Sequence, residues 1–181
     1  MEIKSIYGYR FLSEKELSRI VRDLLVHVGL YQYGKYFGYG GYPEDRLEKE
    51  LDAFFEKAVP YICNAIRRNG GICFHELMEE YGNYEEALSE LNSMVENFVS
   101  MGRWGRYLAD LLKISRELYD SKNYDIHEKI LLFDKLVHAM HVAGKYLGEY
   151  SYEEASIFGL DIPKIKKEAD KILMEKIGLK I

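Results

Sequence analysis

Between Ile126 and Leu147 the chain is apolar on nearly every side of a helix, and few architectures accommodate such a segment. At about 100° per residue, Ile130, Phe133, Val137, Met140, Gly144 and Leu147 line one broad face. Leu131, Leu132, Leu136, Ala139, Val142, Ala143 and Tyr146 cover most of the remainder. The spacing therefore predicts a buried central helix with other helices packed around it, an all-α multi-helix bundle. One narrow polar stripe interrupts it. His127, Asp134, His138, His141 and Lys145 fall within roughly 60° of arc and include three of the five histidines of the chain.

The rest of the sequence supplies the surrounding helices. Ser13 and Glu16 have the spacing of a capping box, and Leu17, Ile20, Val21, Leu24, Leu25 and Val28 follow at helical intervals, which predicts a first helix over Glu14 to Val28. The twelve residues before it suit a short extended piece or a hydrophobic lead-in to that helix. Gly29 is expected to end the helix and open a loop in which Tyr31, Tyr33, Tyr36, Tyr39 and Tyr42 alternate with glycines, forming either a lid on the core or a sticky contact surface. Pro43 is placed for the first turn of a second helix whose apolar face runs from Leu47 to Ala58. At Pro60 that helix is expected to kink or restart, because the ring removes a backbone donor. Asp110 to Tyr119 predicts a further helix, Tyr152 to Ile157 a short helical turn, and Pro163 the start of a last helix with Ile165, Ala169, Ile172, Leu173 and Ile177 on one stripe.

Composition bounds the function classes. A chain of 181 residues is most simply one domain spanning 1–181, and 48% hydrophobic with 30% charged residues puts it among globular chains. No apolar run reaches membrane-spanning length, and Glu2, Lys4 and Arg10 interrupt the N-terminal stretch where a signal peptide needs an apolar core, so a cytoplasmic protein with no membrane partner is expected. A net charge of −5 disfavours nucleic-acid binding by the surface as a whole. Cys63 and Cys73 lack CxxC spacing and read as buried free thiols. The absence of threonine and the single glutamine, Gln32, give the balance of a hyperthermophile protein, in which intracellular disulfides do occur.

Residues 61–107 form a second unit of interest. Helix (Tyr61 to Arg68), short link, helix (Phe74 to Tyr81), tight turn at Gly82-Asn83, helix (Tyr84 to Val99) and the Gly/Arg/aromatic run Met101 to Tyr107 together resemble a winged helix-turn-helix domain, with a small hairpin expected at Gly102 to Tyr107. The resemblance implies nucleic-acid binding through the third helix. Here that helix carries Glu85, Glu86, Glu90 and Glu96 and no basic residue, so phosphate repulsion is unopposed. Arg103, Trp104 and Arg106 are the remaining candidates for such contact. Separately, Arg22 and His27 resemble the Arg-x4-His motif of HEPN ribonucleases, which implies an all-helical fold and RNA cleavage by that pair.

The polar stripe carries the remaining chemistry. His138 lies one turn from both Asp134 and His141, so either pair suits one divalent transition metal. Asp134 and His141 are separated by about 10.5 Å along the axis, too far for one ion. Any such site needs further ligands, with His75, Glu76, Glu79, Glu80, Cys63 and Cys73 as candidates. Without metal, Asp134 could orient His138 as a general base, the catalytic alternative. No resident cofactor is expected. The preferred expectation is a regulatory or binding module, not an enzyme, acting on a protein partner or as a homodimer through the tyrosine segment or the terminal helix.

Overall fold

The computed structural model describes residues 13–38, 41–146 and 160–179, and among these the chain is entirely helical, with no strand. Seven α-helices follow in order: α1 (Glu14–Phe37), α2 (Glu44–Arg68), α3 (Phe74–Tyr81), α4 (Tyr84–Val99), α5 (Arg103–Asp120), α6 (Ile126–Tyr146) and α7 (Ile162–Lys176), with a 3-10 turn at Ser121–Asn123. The all-α bundle expected from the sequence is what forms. The readings of the first twelve residues and of Tyr152 to Ile157 lie outside the described residues.

Helix α1 starts as predicted, with the Glu16 amide donating to Ser13 Oγ at 3.2 Å and the Ser13 amide donating to the Glu16 carboxylate at 2.9 Å. It does not end at Gly29. It continues to Phe37 and stops at Gly38, whose φ of 67° is the left-handed turn that glycine adopts without strain. The glycines inside cost the helix about 1 kcal/mol each, but they are repaid by contacts the sequence does not display. Tyr31 turns inward and is buried, Tyr33 and Phe37 stack at 4.8 Å one turn apart, and Gly29 lets α7 approach so closely that a Cβ there would sit 2.5 Å from Leu173 Cδ2.

Helices α2 and α5 also differ in detail from the expectation. Pro43 occupies the N-cap of α2, just outside the first turn, and the helix continues across Pro60 without restarting. The lost backbone bond is offset by burial on both sides of it, where Val59, Tyr61, Ile62 and Cys63 are all inside. The hairpin expected at Gly102 to Tyr107 is instead the first turn of α5. Gly105 explains why this helix can start there: an added Cβ would lie 1.7 Å from the Phe98 carbonyl oxygen of α4, so only glycine permits the crossing.

Helix α6 is one wall of the interior and is amphipathic, not apolar-buried all round. It packs on α2, α5 and α7, while α2 packs on α1, α5 and α6. Ile126, Ile130, Phe133, Val137 and Met140 face inward, and Phe133 meets Phe54 of α2 edge-on at 5.6 Å. Leu131, expected in the core, is 63% exposed. Asp125 caps the helix, accepting from the amides of His127 and Glu128 at 2.9 and 3.0 Å. Helix α7 lays Ile162, Ile165 and Ala169 inward, against α1 and α6.

Candidate functional site

The junction of α2 and α3 gathers more chemistry than any other place among the described residues. Asn69, Gly70 and Gly71 stop α2 and double the chain back, with Gly70 at φ 84° and the Gly71 amide donating to the Ile66 carbonyl at 3.0 Å. That reversal brings Cys73, the N-cap of α3, beside Cys63 on the inner face of α2, at a Cα–Cα separation of 5.0 Å. The two are joined as a fully buried disulfide, which corrects the expectation of free thiols. Ten residues of separation and no CxxC pattern hide the pair from sequence reasoning; only the turn brings them together.

His75 follows on the first turn of α3. A ligand atom from Cys63, Cys73 and His75 each lies within 4.8 Å of the other two, a group of three assembled from two helices. The imidazole stands edge-on to Tyr119 at 5.4 Å, and its Nδ1 is enclosed without a hydrogen-bond partner. Burial pushes its pKa down to about 4, against the pull of Asp120 and with help from Lys122, so the ring is neutral near pH 7. Beside it opens a cavity of about 350 Å³, lined among others by Asp52, Glu56, Tyr119 and Lys122. The α3 turn itself is fixed by the Glu76 carboxylate, which accepts from the Cys73 amide and pairs with Arg67, and by the Phe74 amide, which donates to Ser115 Oγ at 3.1 Å.

The polar stripe of α6 is placed differently. Asp134 and His138 are both exposed, and no hydrogen bond or ion pair joins them. Asp134 borders a cleft of about 420 Å³ toward α1 and α7, with Leu25, Gln32 and Lys166. His138 borders another, of about 300 Å³, toward α5, with Asp110, Lys113, Glu117 and Lys135. His141 is half-buried. Asp134, His138 and His141 form no group of three, as their spacing along one helix requires, and of the further ligands considered Cys63, Cys73 and His75 lie close to one another.

Other candidates divide between structural and exposed positions. Tyr31 is buried, with its hydroxyl donating to Glu44 at 3.3 Å, and Tyr33 is half-buried. Tyr42 stacks on His27 at 4.2 Å and donates to Glu50 at 2.7 Å; burial and that carboxylate raise its pKa to about 12. Tyr36 is exposed, and Tyr39 lies outside the described residues. Trp104 donates its indole N–H to Asn69 Oδ1 at 3.0 Å and stacks near Tyr107, so it braces the start of α5, while Arg103 and Arg106 point outward. Arg22 pairs with its neighbour Asp23, and His27 sits 3.7 Å from Glu50 across the α1–α2 contact.

One buried charge went unnoticed in the sequence. Lys129 on α6 is 3% exposed, and its ammonium donates to Glu48 at 2.6 Å and Asp52 at 3.2 Å on α2. Burial alone would lower its pKa, but those two carboxylates outweigh it and hold the pKa above the usual lysine value. The signal was present: Lys129 falls between Ile126 and Phe133 on the face that the periodicity assigns to the core.

No protein-family model, curated protein or solved structure matches the chain. Among the described residues, no helix is long and apolar enough to cross a membrane.

Proposed function

We propose that this protein is a binding module that works through protein contacts, with the C-terminal end of α1 as its contact face and a second copy of the chain as the occupant. The observation that supports it is the exposure of Tyr36 and Phe37, 71% and 73% open to solvent at the end of a well-capped helix, next to the exposed Leu131 of α6. Burying such groups against a partner recovers hydrophobic free energy that the monomer leaves unrealised. Where a face shared by two copies about a two-fold axis carries charge, both signs must be present for the charges to pair across it. Here Lys35, hydrogen-bonded to His127, stands beside Asp125 at the start of α6; the Asp125 pKa is lowered first by the hydrogen bonds it accepts from the Glu128 and His127 amides and, to a smaller extent, by the Lys35 charge.

Sedimentation equilibrium tests this directly. The parent chain is expected to form a dimer that Phe37→Ser with Leu131→Ser converts to a monomer of unchanged helical content. A parent that stays monomeric at high micromolar concentration would overturn the reading.

The helix-turn-helix order of α2, α3 and α4 favours a second reading, a nucleic-acid binder of winged-helix type. It is the weaker one, because α4 presents Glu85, Glu86, Glu90 and Glu96 and leaves contact to Arg103 and Arg106. A low-salt gel shift lost in an Arg103→Ala/Arg106→Ala variant would raise it above the first.

A further inference from the structure

We propose that Cys63, Cys73 and His75 form a binding site for a divalent transition-metal cation of the zinc class, which the Cys63–Cys73 disulfide closes and its reduction opens. Three observations carry it. The ligand atoms already lie within 4.8 Å of one another, whereas two thiolates and an imidazole around a tetrahedral zinc stand roughly 3.5 to 3.8 Å apart given bond lengths near 2.3 and 2.0 Å. The 5.0 Å Cα–Cα separation lets the sulfurs part to that distance by side-chain rotation alone. His75 Nδ1 is enclosed with no hydrogen-bond partner, and the same ring offers one of its two nitrogens to the group of three.

The charges also suit the place. Two thiolates, one neutral imidazole and one divalent cation sum to zero, so a centre whose two sulfurs are fully buried carries no uncompensated charge. Cys73 sits at the N-terminus of α3, where the helix dipole favours its thiolate. The three ligands come from protein, and His75 borders the cavity with Asp52 and Glu56, the side from which a water would complete the coordination shell.

The switch balances as follows. A dithiol reductant supplies two electrons and two protons; the Sγ–Sγ bond breaks, Cys63 and Cys73 become thiols, and the reductant leaves as its own cyclic disulfide. Cation binding then displaces the two thiol protons to solvent. In the reverse direction a disulfide oxidant accepts the two electrons, takes two protons from solvent and leaves as its dithiol, while the two thiolates form the Sγ–Sγ bond and the metal is released.

The full chain, reduced with a dithiol in denaturant, freed of reductant without air and refolded, is titrated with Co²⁺ as a spectroscopic stand-in for zinc. One Co²⁺ per chain is expected, with thiolate-to-cobalt charge-transfer absorption that Zn²⁺ abolishes, while the oxidised chain binds none. His75→Gln keeps both cysteines and is expected to weaken Co²⁺ binding at least tenfold with the far-ultraviolet circular dichroism unchanged. If the reduced chain regains its helices only when Co²⁺ is added, that gain reads the same binding and supports the site. As a second measurement, Zn²⁺ is expected to slow alkylation of Cys63 and Cys73 by iodoacetamide in the parent and not in His75→Gln. Absence of charge-transfer absorption in the reduced chain, equal Co²⁺ affinity in His75→Gln, or zinc-independent alkylation would each overturn the proposal.

Discussion

The α2–α3 junction and the outer edge of α6 both carry histidines with potential ligands nearby in sequence, and they end up as opposites. At the junction, residues from two helices meet under cover, with Cys63 and Cys73 fully buried and His75 mostly so. Along α6, Asp134 and His138 stay on one helix, exposed and unconnected, and they border different clefts. Residues one turn apart on a single helix can meet in pairs, but a group of three potential ligands needs a residue from a second element. Convergence needs a chain reversal, and the Asn69-Gly70-Gly71 turn provides it.

The largest effect that tests this contrast is removal of the junction's covalent link. Replacing both cysteines, Cys63→Ala with Cys73→Ala, frees a loop of ten residues' separation and is expected to lower stability by about 3 kcal/mol on the loop-entropy account. Urea midpoints at constant slope measure it. A loss below about 1 kcal/mol would mean that the packing around Phe74 and Leu77 holds the junction unaided, and the contrast with α6 would lose its covalent half.

How much of this was legible follows the same division between local and convergent. Ser13 with Glu16 announced a helix start because a cap is made within one turn, and that cap forms; the caps by Asn83 and Asp161 were not singled out in the sequence. The inward face of α6 was legible from period alone. The helical course of Tyr31 to Phe37 was not, because the glycine tolerance there depends on Leu173, which is distant in sequence, and Gly105 likewise answers to Phe98. The disulfide and the Lys129 pair with Glu48 and Asp52 depend on partners 10 and about 80 residues away, beyond what spacing on one helix reveals. Of the further ligands considered for the α6 stripe, Cys63, Cys73 and His75 lie close to one another at the α2–α3 junction, a convergence that depends on the turn between the helices and not on spacing along one of them.

A pH titration of stability sharpens the contrast at a second place where helices meet. His27, between Tyr42 and Glu50, has its pKa lowered chiefly by burial, with Glu50 pulling the other way. The unfolded chain then takes up a proton at higher pH than the folded one. The His27 contribution is therefore fully present above the unfolded value near 6.5 and is lost as the pH falls through the lower folded value. The parent should lose stability over that interval, and His27→Gln should show a smaller loss across the same pH values, with the residual slope belonging to groups such as His75 that shift the same way. Equal slopes in the two chains would place His27 with the exposed histidines.

The smallest effect belongs to the α6 edge, and its smallness is the point. His138→Ala and Asp134→Ala remove exposed side chains that share no hydrogen bond, so each is expected to change the unfolding free energy by no more than about 0.5 kcal/mol. A double-mutant cycle adds what the single variants cannot show. Residues without a shared partner combine additively to within about 0.5 kcal/mol, whereas a carboxylate orienting an imidazole gives a larger coupling. Measured by urea unfolding at pH 7, a coupling above that bound would mean that Asp134 and His138 act as a pair after all. It would return the acid–base reading to α6 and remove the distinction between a helix edge and a true junction.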